Sequence, residues 1–530
     1  MGAYINIGNE GFRITRNSEY VDKSGLISKI NATLDTERCF TCVSRCRRFG
    51  KSMAAKMLAA YYDRSCDSRE LFADLEIAKD PDFEKHLNKY PVIYLDMTDF
   101  TERYKGDANI VSNIQQALEN DIIPLFPEEE FHPTDDLMNK LTRICQNRKE
   151  KFILIIDEWD AICREFSPES SAMDTYVGWL RRMFKSRSAA DVFAGVYMTG
   201  ILPIKKYKTE SALNNFTEYS MVDPGGLAGY FGFTKQEVKA LCLKHHMDME
   251  EMEKWYDGYS IGDEPSMFNP NSVMQAIYKK RCQSYWASTG AYDAVATYIQ
   301  SNYEGLKDDI ISMLGCERRF VDPTGFRNDI SEIHSKDDVL TVLIHLGYLG
   351  YDRRESQCYI PNFEVEGEMT NAVKDTNWRY VADALKASRQ LIHDTLNGKA
   401  DAVARALETI HQENTSILQY NDENSLSCAL SIAYYTAKND FVMHRELATG
   451  KGFADLVLLP RKNVSKPALV IELKYNQSAD TAIDQILRKE YPAKVSEYTG
   501  DILLVGITYD TQTKQHSCQI ERVSKCFSFD

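Results

Sequence analysis

Long apolar runs are missing from this chain of 530 residues, and no segment stays hydrophobic for the length a bilayer demands, so a membrane-spanning helix is not expected. The start, Met1 to Asn6, lacks a basic stretch followed by an apolar core, and Asn6 falls outside the Ser/Thr pattern that would mark Gly2 for a myristoyl group. A basic excess is also missing. With 63 Lys and Arg against 78 Asp and Glu the net charge is -15, which excludes a generally basic nucleic-acid coat protein but not an enzyme with a local basic channel. The 13 cysteines are odd in number and scattered, as reduced thiols are, and the one tight group, Cys39, Cys42 and Cys46, lies on an apolar run and a loop with no cage geometry for a metal. A cytoplasmic protein with no membrane partner is expected. Internal repeats and low-complexity linkers are absent as well, so the domains are expected to pack together.

What is present begins at Arg45-Cys46-Arg47-Arg48-Phe49-Gly50-Lys51-Ser52, a variant phosphate-binding loop ahead of a helix that starts Met53-Ala54-Ala55. Backbone N–H groups at such a helix start can surround a phosphate chain, Lys51 can reach the terminal phosphates, and the Ser52 hydroxyl can hold Mg²⁺. The usual pattern has glycine where this chain has Arg45. Arg45, Arg47, Arg48 and Lys51 form a cluster read as phosphate neutralisation, whereas Lys205, Lys206 and Lys208 read as a solvated face.

Lys151-Phe152-Ile153-Leu154-Ile155-Ile156-Asp157-Glu158 is a short apolar run closing on two acids, the pattern of a buried parallel strand with carboxylates at its carboxyl end. Beside a phosphate loop, Asp157 is expected to hold the Mg²⁺ shell and Glu158 to polarise the attacking water. The site therefore points to a nucleoside triphosphate, with ATP and Mg²⁺ as cofactors. Val192 to Gly200 fits the next strand and places Thr199 where a hydroxyl can sense the terminal phosphate.

Strands and helices alternate as far as about Val222, with Pro91 to Asp96 as a further buried strand, and this calls for a parallel sheet covered by helices. Asp223-Pro224-Gly225-Gly226 breaks the alternation. A capping box at Thr234 and Glu237 then opens a largely helical region reaching about residue 420, with a short strand pair expected at Gly347 to Tyr351 and Cys358 to Ile360. This region carries no catalytic constellation and reads as a lid and connector whose aromatics serve cores; base stacking by its aromatic loops is the alternative.

A second chemistry lies near the carboxyl end. Gly452 to Leu459 and Ala468 to Tyr475 read as strands, and alternation puts Glu472 and Lys474 on one face with Leu473 on the other. If the two strands pair, Asp455 joins that polar face. Two carboxylates and a lysine suit metal-assisted phosphodiester cleavage: Asp455 and Glu472 match Mg²⁺ or Mn²⁺, and Lys474 can orient water or stabilise charge on the phosphate. Glu423, Glu446 and Gln485 are weaker candidates. The order of elements, a helix from about Ser425, three strands, a helix through Gln485 and a strand from Ile502, looks like a restriction-nuclease core.

Tyr20-Val21-Asp22-Lys23-Ser24, the Arg45 to Ser52 loop, Asp157-Glu158, Thr199-Gly200-Ile201-Leu202, Phe231-Gly232-Phe233-Thr234, Trp255-Tyr256-Asp257-Gly258-Tyr259 and Tyr285-Trp286 together resemble the bacterial AAA-ATPase-like family. In that family the loop reads Arg-Pro-Arg-Arg-Phe-Gly-Lys-Ser, so Arg45 matches it and Cys46 departs from it. Asp455, Glu472-Leu473-Lys474 and Gln485 resemble the PD-(D/E)XK nuclease domain that commonly follows. Relatives often carry Glu followed four residues on by His in the first nuclease helix, where this chain has Glu423 and Ser427.

The resemblance implies an α/β protein: a P-loop ATPase domain with a parallel sheet over residues 1–230, a helical lid and connector over 231–405, and a restriction-nuclease-like domain over 406–530. It implies a bacterial origin and a link to mobile elements or defence. The nucleotide contacts fall on Arg47, Arg48, Phe49, Gly50, Lys51, Ser52, Asp157 and Thr199, with Glu158 catalytic; Ser52 and Asp157 would hold one metal, Asp455 and Glu472 another. The expected function is ATP hydrolysis coupled to metal-dependent cleavage of nucleic acid. The alternative is a nucleotide-switched signalling or scaffold ATPase whose nuclease-like domain binds without cutting. ATP and nucleic acid are the expected partners, and a homo-oligomer is open to such a chain.

Overall fold

The computed structural model describes residues 2–166, 170–204, 206–207, 210–211, 213–286, 298–299, 301–314, 317–326, 333–372, 376–414, 430, 433–449, 452–461, 464, 466–476, 479–488, 500–510, 513 and 515–523. The chain divides into two compact units, one of residues 1–307 with 319–372 and one of residues 308–318 with 373–530.

In the first unit, β1 (Phe40–Ser44), β2 (Val92–Asp96), β3 (Phe152–Asp157), β4 (Phe193–Gly200) and β5 (Thr217–Tyr219) form a parallel sheet in the order β2-β3-β4-β1-β5. Every residue of β1, β3 and β4 is buried, as a strand covered on both faces requires. Alternation sorts them: Ile153 and Ile155 pack with Met57, Leu58 and Tyr61 of helix α1 (Lys51–Tyr62), whereas Leu154 and Ile156 pack with Ile114, Leu118 and Leu141 on the opposite face. The pairs Val43 with Thr199, Ser44 with Gly200, and Asp96 with Asp157 bring the carboxyl ends of the strands level. Because β1 sits between β4 and β5 while its own connection runs away to β2, the loop after β1 lies where the strand order reverses, a crevice that open α/β sheets use for ligands.

The region after β5 packs with this sheet: Phe231 belongs to the α1 cluster, and the Gly232 N–H donates to the Phe49 carbonyl at 3.1 Å. It is largely helical, as the sequence pattern predicts, with short strands between the helices. Helices Lys235–His245, Met249–Tyr256 and Pro270–Lys279 share one core with the small sheet of Phe233–Thr234, Glu264–Phe268 and Tyr259–Ile261. The capping box forms, with the Glu237 N–H donating to Thr234 Oγ1 and the Thr234 N–H to Glu237 Oε2. The expected strand pair is present as Gly350–Asp352 antiparallel to Gln357–Tyr359.

Gly258 shows why the Trp255 to Tyr259 motif contains a glycine. Its φ is +104°, and a Cβ there would stand 2.0 Å from the Pro361 carbonyl oxygen, while Asn362 Nδ2 donates to the Asp257 carbonyl at 2.8 Å. Gly258→Ala is expected to cost about 3 kcal/mol through combined backbone strain and overpacking. A denaturation midpoint within error of the wild type would contradict this.

In the second unit, β6 (Phe441–Thr449), β7 (Gly452–Pro460), β8 (Ala468–Tyr475), β9 (Ile502–Asp510) and β10 (Gln515–Val523) form a mixed sheet in chain order. All neighbours are antiparallel except β8 and β9, whose parallel pairing needs a crossover, and helix α2 (Ala479–Arg488) lies between them in the chain. Leu469, Ile471 and Leu473 face a core with Leu391, Val403 and Leu407 of helices Thr376–Leu396 and Ala400–Asn414. Val470 and Val457 face the α2 side with Ile483 and Ile486.

Candidate functional site

The loop after β1 turns tightly into α1. Arg48 has φ +67° and Gly50 φ +89°, and Gly50 is the N-cap. Phe49 is fully buried and meets the Tyr259 ring edge-on at 5.3 Å, pegging the loop to the region behind it. Arg48 is exposed and donates to the Tyr285 carbonyl at 2.9 Å.

Arg45 departs from the expectation that it neutralises phosphate. It is fully buried, donates to the Ser44 carbonyl at 3.0 Å and the Tyr219 carbonyl at 2.9 Å, and lies 5.4 Å from the centre of the Phe231 ring. Burial pushes its guanidinium down to about 10. It ties the end of β1 to β5 from beneath the loop. Where a phosphate loop usually has glycine, this chain has a buried strut.

Lys51 is almost wholly enclosed, and its Nζ lies 3.0 Å from the Arg45 carbonyl, 3.2 Å from that of Cys46 and 3.4 Å from Glu158 Oε1. Asp157 is buried, and hydrogen bonds from the Thr199 and Ser52 hydroxyls and the Tyr94 hydroxyl (3.3 Å) converge on it. Burial raises the Asp157 carboxyl, and the Thr199 and Ser52 hydroxyls pull against that rise. Burial also works to raise Glu158, but Lys51 and Arg164 outweigh it and hold the carboxyl low.

Thr199 lies away from any open surface: it is fully buried, donates to Asp157, and accepts the Glu158 N–H at 3.1 Å. It joins the two acids to each other. Arg47 is half-buried, and burial together with the like charge of Arg164 lowers it, while Glu158 acts in the opposite direction.

A cavity of about 410 Å³ opens beside these groups. Its lining includes Arg48, Phe49, Gly50, Lys51, Ser52 and Glu158 of the loop region, the apolar or aromatic Tyr20, Val21, Met57, Met274 and Tyr278, and the charged Glu19 and Lys23. A lining that combines the loop cations with apolar and aromatic side chains suits a phosphate chain joined to a base. The oxygen donors Ser52 and Asp157, hydrogen-bonded to one another, fit a hard divalent cation. The apolar wall, Tyr94, Asp160 and Arg164 were not foreseen, since no local motif marks them.

In the second unit, β7 pairs β8 through Leu456 with Ile471, so one step on Asp455 comes level with Glu472. Asp455 Oδ2 accepts the Leu473 N–H at 2.7 Å, and Lys474 Nζ lies 3.3 Å from Glu472 Oε1. The three polar groups share the α2 face, as expected. All the carboxylate donors are oxygens, which fits Mg²⁺ or Mn²⁺. Among the described residues no group of three or more His, Cys, Asp and Glu is arranged for a metal. Glu423, Ser427, the side chains of Glu446 and Gln485, and those of Lys205, Lys206 and Lys208 lie outside the described residues.

Residues 6–209 match the family described as predicted AAA-ATPase, and residues 422–518 match the PD-(D/E)XK nuclease superfamily. The chain joins an AAA-ATPase-like domain to a PD-(D/E)XK nuclease-like domain. No curated protein matches it. Among solved structures it is similar to a Walker-type ATPase of Pyrococcus abyssi, with 14% identity, 66% of this chain and 94% of that one covered, and a TM-score of 0.32. It is also similar to the ORC2 protein of Aeropyrum pernix in its ADPNP–ADP complexes, with 10% identity, coverage of 70% and 97%, and a TM-score of 0.30.

Behind the ATPase-like loop lies a pH-sensitive contact. Glu364 accepts from the Ser272 hydroxyl at 2.8 Å and from the Tyr285 N–H at 2.6 Å, holding the residue whose carbonyl accepts from Arg48. Burial nevertheless raises its carboxyl to about 7, against a usual 4.5. A raised carboxyl stabilises the fold below its unfolded value, and that stability is lost as pH rises through the folded value. Between about pH 4.5 and 8 this amounts to roughly 3 kcal/mol. Urea midpoints should therefore move in favour of Glu364→Gln relative to wild type as pH goes from 5 to 8; a constant difference would refute it.

Proposed function

We propose that the AAA-ATPase-like domain binds Mg²⁺-ATP in the 410 Å³ cavity and hydrolyses it, and that hydrolysis controls metal-dependent phosphodiester cleavage of nucleic acid by the terminal domain. The observation carrying this reading is that Lys51, Ser52 and Glu158 line one cavity, with buried Asp157 hydrogen-bonded to Ser52 beside it. Each brings the group that the chemistry calls for. Lys51 supplies a cation to the terminal phosphates, the α1 N-terminus supplies backbone N–H donors, and Glu158 accepts a hydrogen bond from the attacking water. Ser52 and Asp157 would hold Mg²⁺, which when bound neutralises charge on the phosphate oxygens. Thr199 holds the two acids in register.

In the terminal domain Asp455 and Glu472 would hold Mg²⁺ or Mn²⁺, which when bound polarises the phosphodiester. Lys474 is placed to orient water or to meet charge developing on the phosphate. We place the protein in the bacterial cytoplasm; no helix among the described residues is long and apolar enough to cross a membrane.

A second reading, a nucleotide-switched scaffold that holds nucleic acid or protein without cutting, is favoured by one observation: an oxygen of Asp455 is already engaged by a backbone N–H. Purified protein with ATP, Mg²⁺ or Mn²⁺ and single- and double-stranded DNA and RNA separates the two. Metal-dependent fragments support cleavage. ATP turnover with every nucleic acid intact supports the scaffold.

A further inference from the structure

Arg164 lies in the short helix Ala161–Glu165 with 6% of its side chain exposed, and its contacts do more than hold the Glu158 carboxyl low. Its Nη2 is 2.6 Å from Glu158 Oε2 and its Nε 3.3 Å from Asp160 Oδ2. Asp160 in turn accepts the N–H groups of Ile201 at 3.1 Å and Leu202 at 2.9 Å, just past β4. Arg164 is therefore braced against the same sheet edge that carries the acids.

Glu158 needs such a brace. Its φ is +53°, a left-handed conformation uncommon for a residue with a Cβ. Thr199 fixes the backbone on both sides, through its hydroxyl to the Glu158 N–H and through its carbonyl to the Trp159 N–H at 2.7 Å. The carboxylate is divided between two cations of different kinds. Oε1 faces Lys51, which lines the cavity; Oε2 faces Arg164, which does not. A phosphate chain would compete for the Lys51 ammonium and so uncover Oε1, while the Arg164 contact has no reason to change.

We propose that Arg164 is the positioning residue of Glu158: it holds Oε2 so that Oε1, once Lys51 turns to the phosphates, is presented to the attacking water. This rests on the hydrolysis reading above. Arg164 does not act as a charge donor to the phosphate, because it is enclosed and paired to two carboxylates.

The test compares wild type, Arg164→Ala, Arg164→Lys, Glu158→Gln and the Glu158→Gln/Arg164→Ala double variant. Binding of a fluorescent ATP analogue and turnover of ATP are measured separately. Arg164→Ala should lose about 10- to 100-fold in kcat with Kd within about threefold, as misplacement of a catalytic group does. Arg164→Lys should recover part of the rate, since a point charge reaches Oε2 but cannot fork to Asp160. With Glu158 already removed, adding Arg164→Ala should change nothing.

Full turnover by Arg164→Ala overturns the proposal, as does a double variant slower than Glu158→Gln by the factor seen in the wild-type background. If Arg164→Ala fails to bind the analogue, Arg164→Lys decides: reduced kcat at unchanged Kd supports the proposal and full turnover overturns it. A wild type that binds the analogue but turns over no ATP overturns the hydrolysis reading and this proposal together. Equal turnover by wild type and Arg164→Ala overturns this proposal alone.

Discussion

Lys51→Ala is expected to lower ATP turnover by about 10²–10³-fold, the loss seen when a preorganised group facing developing charge is removed. The ammonium meets three oxygens, the carbonyls of Arg45 and Cys46 and a carboxylate oxygen of Glu158. Those contacts hold the lysine beside the cavity in an environment where a cation is worth more than it is in water. The fold should survive, because Phe49, Arg45 and the apolar face of α1 anchor the loop independently of Lys51. Ligand-induced stabilisation gives a second readout: nucleotide at about 100 times Kd should stabilise the wild type by about 2.7 kcal/mol, and the variant should respond less. Turnover within about tenfold of wild type would remove Lys51 from the reaction.

How much of this was legible in the sequence depended on whether a residue's surroundings are local. The β3 run ending in Asp157-Glu158 was legible because a strand buried on both faces must be apolar until its polar end. Glu472 and Lys474 were legible because alternation alone puts them opposite Leu473, which lies in the core. Asp455 was legible only on condition that β7 and β8 pair, and the register supplies that condition. Arg45 was not: in the sequence it is a cation in a phosphate loop, and its burial is decided by Tyr219 and Phe231, far along the chain. Thr199 lies at the end of β4, and its hydroxyl serves the two acids, an arrangement fixed by the alignment of β3 with β4 that the sequence does not display. Arg164 follows no motif, because its partnership depends on the left-handed turn at Glu158.

Lys474→Ala is expected to lower nucleic-acid cleavage by about 10²–10³-fold while sparing ATP turnover. Lys474 belongs to the second compact unit, whereas Lys51, Asp157 and Glu158 belong to the first, so a loss confined to cutting would give the two chemistries separate machinery. The variant also separates the two readings of the terminal domain. If Lys474 acts on water or on the phosphate, the variant should keep its affinity for nucleic acid and for Mn²⁺ and lose cutting alone. If the domain only binds, wild type and variant leave the substrate equally intact. Control by the nucleotide is read from the converse experiment: Lys51→Ala should cut no faster with ATP than without. Lys51→Ala that cuts at the full wild-type rate in the absence of ATP would show that the carboxylates and Lys474 need nothing from the front domain.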